Sequence, residues 1–199
     1  MNNPAPPTLT NPQLIDNAIN GINSRLLTGL SWLDNAYGKA QKLTKTKDNK
    51  KYKYPAVYVA GGRDREYFEM FPDEHKGNFS FFDVEDESFD NWNPGEYQFL
   101  TVDFGIVFWF NIEKIYPTDF ATRTNENVKR EILDAISGIN ISGGKFRITG
   151  IKEEAGDIYP GYDHNEIDNQ FLIRPFGGMR IEGKLKIRVE SSPETILCT

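Results

Sequence analysis

The sequence predicts an α+β fold, in which an antiparallel β-sheet with one long strand packs against two main helices. Three observations carry this prediction. Apolar residues recur at three- and four-residue steps between Leu14 and Tyr37, as in an amphipathic helix. Every second residue from Leu100 to Ile112 is apolar, as on the buried face of a half-buried strand. Helical and extended segments alternate too little along the chain for a parallel, doubly wound sheet.

The first helix is predicted to begin near Thr10 or Asn11, since either residue can cap a helix whose first position is Pro12. Its apolar stripe continues to Tyr37, which makes the helix about 25 residues long. Residues 1–9 contain three prolines and nothing to pack, so we expect a flexible arm there.

A lysine-rich stretch follows between residues 39 and 53. It is predicted to be a long loop that continues the solvated end of the helix. The alternative is an electrostatic contact with a partner. No arginine or base-stacking aromatic residue interrupts the run before Tyr52, which argues against a nucleic-acid partner. The lysines concerned are Lys39, Lys42, Lys45, Lys47, Lys50, Lys51 and Lys53.

Two short strands are predicted in the next part of the chain. Residues 54–60 form a strand that a glycine pair ends, and residues 79–84 form another. The second strand leads into an acidic run, and a turn at 93–95 precedes the long strand. Residues 61–97 otherwise form a long loop.

The long strand has one apolar face and one mixed face. Its apolar parity holds Leu100, Val102, Phe104, Ile106, Phe108, Phe110 and Ile112. The other parity includes Val107 and Trp109, so part of the mixed face is expected to be covered. Asp103 also lies there, and we expect it to pair with a lysine or arginine across a strand. A strand of roughly 50 Å must bend, project or pair with another chain.

The second helix is predicted to begin at Thr122 or Thr124 and to end at Gly138. Its inner face consists of Val128, Ile132, Leu133, Ala135 and Ile136. The segments that follow are a strand at 145–151 with Phe146 and Ile148 inward, a long loop at 152–170, a short strand at 171–173, a turn at Gly177–Gly178 and a last strand at 179–189. We expect a single α+β domain over residues 10–190, followed by a tail at 191–199.

The composition of the chain argues against several classes of function. The chain of 199 residues carries 23 lysines and arginines against 29 aspartates and glutamates, a formal charge of -6. This acidic balance argues against general affinity for nucleic acid. The one cysteine, Cys198, excludes an internal disulfide framework and a thiolate zinc cluster. No apolar run reaches the roughly 18 residues of a membrane span, and no secretory signal is visible. We expect an intracellular protein, or a particle assembled there, without membrane contact.

The sequence offers no catalytic, metal or cofactor site, so no enzyme activity is expected. Its glycine doublets lack the flanking residues of a phosphate-binding loop. His75 lies in a polar segment and is expected to be exposed. His164 lies among acidic residues, but their spacing matches no calcium loop.

The order of these elements is distinctive. An opening amphipathic helix is followed by the strand PAVYV, the alternating strand QFLTVDFGIVFWFN, the capped helix TNENVKREILDAI and the closing strand RPFGGMRIEGKLKIRVE. This order resembles that of the tail-terminator and tail-completion proteins of tailed bacteriophages, with the related ring proteins of the head–tail neck. The resemblance implies an α+β fold, no enzyme activity and a closed homo-oligomeric ring, a hexamer or a dodecamer. The long loops at 39–53, 61–97 and 152–170 depart from the family's pattern.

The resemblance further implies a virion protein that is assembled in the host cytoplasm. It would end the tail tube, join the tail to the capsid connector, or both. Its partners would be further copies of the chain and other tail or neck proteins. DNA would pass through the channel without specific binding.

A head-to-tail ring needs two different surfaces on each subunit. Segregated charge would supply them, because the lysine run and the acidic run would orient the encounter of subunits. An overlong strand can also cross a subunit boundary. The predicted interface residues are Lys45, Lys47, Lys50, Lys51, Asp83, Glu85, Asp86, Glu87 and Trp109.

Two other functions stay open. The first is a monomeric ligand-binding or protein-interaction module, in which an aromatic-rich sheet holds a small apolar ligand. Its pocket would lie near Phe104, Phe108 and Trp109. The second, which the sequence favours less, is a hydrolase or nuclease that uses carboxylates with a divalent metal. The carboxylates concerned are Asp83, Asp86 and Asp103.

Overall fold

A computed structural model describes residues 4–59, 66–73, 75–90, 98–139, 144–163 and 172–189. Within these ranges seven strands form one sheet and four helices accompany it, so the α+β class is confirmed. The strands are β1 (Asn35–Lys47), β2 (Lys50–Tyr58), β3 (Tyr67–Glu69), β4 (Phe79–Phe89), β5 (Gln98–Asn111), β6 (Gly144–Lys152) and β7 (Phe176–Val189). The helices are α1 (Leu14–Gly29), α2 (Ile112–Ile115), α3 (Asn125–Ile136) and α4 (Ala155–Ile158). The strand order is β3-β2-β1-β4-β5-β7-β6.

The sheet is mixed, which corrects the expectation of a purely antiparallel sheet. Strands β1 and β4 run parallel, while the other neighbouring strands are antiparallel. The reason lies where both strands begin: the Asn78 backbone N–H donates to the Asp34 carboxylate at 2.7 Å, and the Asp34 N–H donates to the Asn78 carbonyl at 3.0 Å. A single long strand is not confirmed either, because β5 and β7 have 14 residues each and β1 has 13.

Helix α1 ends at Gly29, so the prediction that it continues to Tyr37 is wrong. The periodic stripe is genuine up to Leu26, which is fully buried with Ile22. Gly29 lies against α3, where an added Cβ would come within 2.8 Å of the Ala135 Cβ. The chain then turns, and Tyr37 is buried from strand β1 instead. Apolar spacing alone did not distinguish a longer helix from a helix followed by a strand.

Residues 39–53 are not a loop but most of a β-hairpin, formed by β1 and β2. Lys47 and Lys50 are paired across a two-residue turn, in which Asp48 and Asn49 have φ angles of 51° and 60°. Positive φ at both central residues is the type I′ turn that joins twisted strands, and Asp and Asn tolerate it. We call residues 41–54 the distal hairpin; none of them is buried.

Strand β5 separates two apolar clusters. Its even-numbered residues from Leu100 to Phe110 are buried in the first cluster, together with α1 and α3. Val107 and Trp109 lie on the opposite face, in a second cluster that includes Ile158 of α4. Both are 1% exposed, so the expected partial cover of the mixed face is confirmed.

The second half of the chain follows the sequence prediction more closely. Helix α3 begins after Thr124, whose backbone N–H donates to the Asn127 side chain at 2.9 Å, and Gly138 follows its end with a φ of 68°. Phe146 and Ile148 of β6 pack against the first cluster, as expected.

Several predicted loops and turns are corrected. Gly177 and Gly178 lie inside β7 and not in a turn. Close packing explains the two glycines, since an added Cβ would meet the Phe110 ring at 2.5 Å and the Leu172 side chain at 2.7 Å. Leu172 and Ile173 are not in a strand. The predicted strand at 79–84 is confirmed as the first part of β4, whereas β3 and residues 85–89 of β4 fall within the predicted loop at 61–97, and α4 falls within the one at 152–170.

The predictions for the chain's ends can be compared with the structure only in part. Residues 4–9 belong to no helix or strand, and the Pro4 carbonyl accepts a hydrogen bond of 2.7 Å from the Tyr37 hydroxyl. Phe171, His164 and the tail at 191–199 lie outside the described residues, and the division into arm, domain and tail stays a prediction. In the ranges that the structure covers, no helix combines the length and apolarity that crossing a membrane needs.

Candidate assembly surface

Asp83, which was predicted as an interface residue, is buried within the chain and paired there. It is 8% exposed, and its carboxylate accepts hydrogen bonds from Arg180 at 2.7 Å and from the Tyr162 hydroxyl at 2.8 Å. Arg180 is fully buried and also pairs with Glu85. Burial, followed by the neighbouring Asp83 carboxylate, raises the pKa of Tyr162. This cluster joins β4, β7 and the segment after α4.

Gly105 makes room for that cluster. It lies opposite Asp83 in the β4–β5 ladder, and an added Cβ would overlap the Arg180 guanidinium. The Arg180 side chain therefore crosses β5 over a residue without a side chain. This explains why a glycine interrupts the most apolar strand of the protein.

The acidic run is largely neutralised by cations of the same chain. Glu87 pairs with Lys39 at 2.9 Å, and Glu85 pairs with Arg180. Asp86 is exposed and has no ion-pair partner among the described residues. The acidic surface predicted for an interface is therefore reduced to the end of β4.

The lysine run divides into an anchored part and an exposed tip. Lys45 pairs with Glu69 at 2.7 Å and lies 5.1 Å from the centre of the Tyr54 ring. At the tip, Lys47, Lys50 and Lys51 surround the turn, and all three are exposed. The structure thus brings three of the predicted interface lysines together at the end of the distal hairpin.

Trp109, which was predicted as an interface residue, is buried within the chain. Its ring stacks against Phe79 at 5.7 Å and Phe176 at 5.2 Å between ring centres. The apolar pocket predicted around Phe104, Phe108 and Trp109 is likewise filled, since none of the three is more than 3% exposed.

Sequence reasoning missed a cationic strip on the exposed face of β6 and β7. Lys145 lies directly opposite Lys186, and Arg147 lies opposite Lys184. The alternation of charge along β7 could be read from the sequence, but its register with β6 could not. Lys184 pairs with Asp103 at 2.9 Å, which confirms the expected cross-strand pairing of Asp103.

A groove of about 660 Å³ lies between the N-terminal arm, α1 and the β1–β2 ladder. Asn23 lines it and is 8% exposed; its amide N–H groups donate to the backbone carbonyls of Ala36 and Tyr37. Leu27 and Tyr58 also line it and are 45% and 48% exposed. This groove was not predicted, because the arm and β1 are brought together only by the fold.

Catalytic chemistry finds little support in the described ranges. No group of three histidines, cysteines or acidic residues there is arranged to hold a metal ion. Asp83 and Asp103, two of the three carboxylates considered for a nuclease, are each paired with a cation. His75 is exposed, as expected, while His164 and Cys198 lie outside the described residues.

A scan against protein-family models gives no match, and a search of the curated proteins gives none either.

Proposed function

We propose that this chain is a structural protein of a tailed-phage virion, which forms a ring at the tail end or the head–tail neck. The ring would end the tail tube, join it to the capsid connector, or both. The single observation that carries an assembly role is the distal hairpin, which extends from the sheet with a cationic tip and no buried residue.

The hairpin buries none of its residues against its own chain. An isolated two-stranded hairpin is marginal in water, since it has no apolar face to bury. The contacts that hold it include the Lys45–Glu69 ion pair, the Lys53 N–H, which donates to the Asp163 carboxylate at 2.6 Å, the Asp163 N–H, which donates to the Lys53 carbonyl at 2.9 Å, and the Lys42 ammonium, 4.8 Å from the centre of the Tyr162 ring. Exposed ion pairs contribute about 0–1 kcal/mol each. A long ordered arm that buries so little of itself is best accounted for by contact with a neighbouring molecule.

Charge supports a neighbour of the same kind. The chain carries a formal charge of -6, whereas the hairpin tip concentrates Lys47, Lys50 and Lys51 around one turn. A cationic arm meeting an acidic protein surface would be steered electrostatically at low salt. A head-to-tail contact of this kind generates a ring when its rotation closes.

The absolute mass of the purified chain tests the proposal. We expect light scattering on a sizing column to give one discrete multiple of the chain mass, decreasing at high salt. Negative-stain electron microscopy of the same peak should show closed rings with a central opening. A monomer at every concentration and salt, with no rings on the grids, would contradict the proposal.

A variant that lacks most of the distal hairpin tests whether the hairpin is the assembly arm. Leu43 and Tyr54 are directly paired, four positions along each strand from the Lys47–Lys50 pair that closes the native turn, so Asn-Gly in place of residues 44–53 closes a shorter hairpin without changing the register. We expect this variant to keep the wild-type circular dichroism spectrum and to lose the oligomer. An unchanged oligomer in this variant would show that the hairpin is not the assembly arm.

The alternative is a monomeric binding module, and the groove beside Asn23 is the observation that favours it. Its volume lies in the range of small-molecule sites. In that case the chain stays monomeric, and a fluorescent apolar probe binds wild type but not a variant with Leu27→Glu in the groove wall.

A further inference from the structure

The two outer edges of the sheet differ in chemistry. Strand β6 forms one edge, and the short strand β3 forms the other. Six strand spacings of about 4.8 Å separate them by roughly 29 Å. Side chains on the two edges therefore do not reach one another within one subunit.

The β6 edge carries charge that its own chain leaves uncompensated. Lys145 and Arg147 each face a lysine of β7, and like charges directly opposite one another destabilise a sheet. The lysines of β7 are matched, since Lys184 pairs with Asp103 and Lys186 with Asp90. Lys145 and Arg147 are exposed and have no ion-pair partner in the part of the chain that the structure describes. Their charges are available to a neighbour.

The β3 edge carries the complementary groups. Tyr58 and Tyr67 are paired across β2 and β3, with ring centres 5.8 Å apart in an edge-to-face arrangement. They are 48% and 39% exposed, so roughly half of this aromatic pair is accessible to a neighbour in the isolated chain. Glu66, which is exposed, immediately precedes β3. Aromatic faces beside a carboxylate form a surface that attracts lysine and arginine.

We propose that the β6 edge of one subunit contacts the β3 edge of the next, with Lys145 and Arg147 against Tyr58, Tyr67 and Glu66. This inference rests on the proposed ring, and it assigns a second contact beside that of the distal hairpin, with both contacts needed for the ring to close. The occupant of each edge is a second copy of the chain, because the same sequence carries both halves of the contact. Since the halves lie at opposite ends of the sheet, the contact is heterologous and continues from subunit to subunit.

Charged residues on an edge strand also protect it against unwanted pairing. Protection of the β6 edge requires no particular residues on the β3 edge, so it does not explain the two large, partly exposed aromatic residues there. The two explanations differ in their consequence: a protective charge can be reversed without loss of assembly, whereas a contact residue cannot.

The test uses two double variants of the full chain, K145E/R147E and Y58A/Y67A. A matched control, R25E/K114E, makes the same change in net charge on exposed residues of α1 and α2. We expect each edge variant to weaken association at least tenfold by analytical ultracentrifugation, while the control assembles as wild type does. Circular dichroism checks that all variants are folded.

Mixing the two edge variants gives the sharpest result. Each keeps one intact edge, so one K145E/R147E subunit and one Y58A/Y67A subunit can form a single productive contact. We expect the mixture to give a dimer and no larger species, while each variant alone stays monomeric.

The outcomes separate this inference from the proposed function. If wild type forms rings and both edge variants do so equally well, the edge contact is wrong and the ring stands. If wild type is a monomer under all conditions, the ring and the edge contact both fail.

Discussion

The central part of β5 and the distal hairpin are both antiparallel ladders, yet they depend on different forces. Residues 106–111 of β5 are all buried, with apolar side chains on both faces. Residues 41–54 contain no buried residue and are held by backbone pairing and a few polar contacts. Backbone pairing is therefore shared, and the difference lies in apolar burial, which supplies most of the folding free energy. The comparison teaches that this protein has a body stabilised by apolar burial and an arm held mainly by backbone pairing.

Removing a large aromatic residue from each region should show the greatest contrast. We expect Trp109→Ala to lower the free energy of unfolding by about 3–5 kcal/mol, because it leaves a cavity between Phe79 and Phe176. Tyr52→Ala, in the half-buried part of the hairpin, should cost less than about 1 kcal/mol. Urea unfolding followed by circular dichroism measures both, and equal losses would remove the distinction between body and arm.

Breaking the buried ion pair between Asp83 and Arg180 should have the second largest effect on the free energy of unfolding. Arg180→Met leaves the Asp83 carboxylate buried without its cation, and we expect a loss of about 3 kcal/mol. The value lies at the low end of the usual range because Asp83 keeps the hydrogen bond from Tyr162. The double variant D83L/R180M should recover most of the loss. If the double variant is no more stable than R180M, the unpaired carboxylate is not the cause.

Alkaline pH should act on the body through its buried phenols. Burial raises the pKa values of Tyr37, Tyr159 and Tyr162 above the ordinary 10.0. The unfolded chain therefore loses these protons first, so stability is fully present below pH 10.0 and falls as the pH rises above it. Lys76, whose pKa is lowered by burial, acts in the opposite direction as a single group against three.

Urea midpoints measured between about pH 9 and pH 11 test this expectation. Tyr162→Phe should flatten the decline, since one of the three phenols is removed. A midpoint that is constant across this range would show that the tyrosines are accessible to solvent in the folded protein.

The smallest effect is expected at the hairpin turn. Asn49 has a φ of 60°, which glycine adopts without strain, so Asn49→Gly should stabilise the turn by about 0.5 kcal/mol. Global stability should change little, because the hairpin opens before the body unfolds. Hydrogen exchange of the hairpin amides should slow in the variant, whereas exchange of the β5 amides should not. Equal slowing in both places would indicate that the hairpin and the body unfold as one unit.

Much of the second half of the fold could be predicted because its patterns are local. Three local patterns each predicted a structural feature from a few neighbouring residues: the alternation at 98–112, the helix cap at Thr124 and the glycine at 138. The first half failed where one pattern suited two structures. The apolar residues beyond Gly29 belong to a turn and a strand and not to a helix. The lysine run forms an exposed hairpin and not a loop.

The candidate surface was predictable in part for the same reason. The lysines at the hairpin tip are neighbours in sequence, and the turn places them together whatever surrounds them. The burial of Asp83 could not be predicted because its partner is distant; Arg180 lies 97 positions from Asp83. The β6–β7 strip depends on a register that no local pattern specifies.

By itself, the sequence determined the two-faced character of β5, the boundaries of α3 and the need of Asp103 for a cation across a strand. Each follows from side-chain period, capping chemistry or charge within one element. Only the tertiary structure decided that β1 runs parallel to β4, that Gly105 lies beneath Arg180 and that cations and aromatic residues occupy opposite edges. These features arise from contacts between residues far apart in the chain, which form only when the elements pack together.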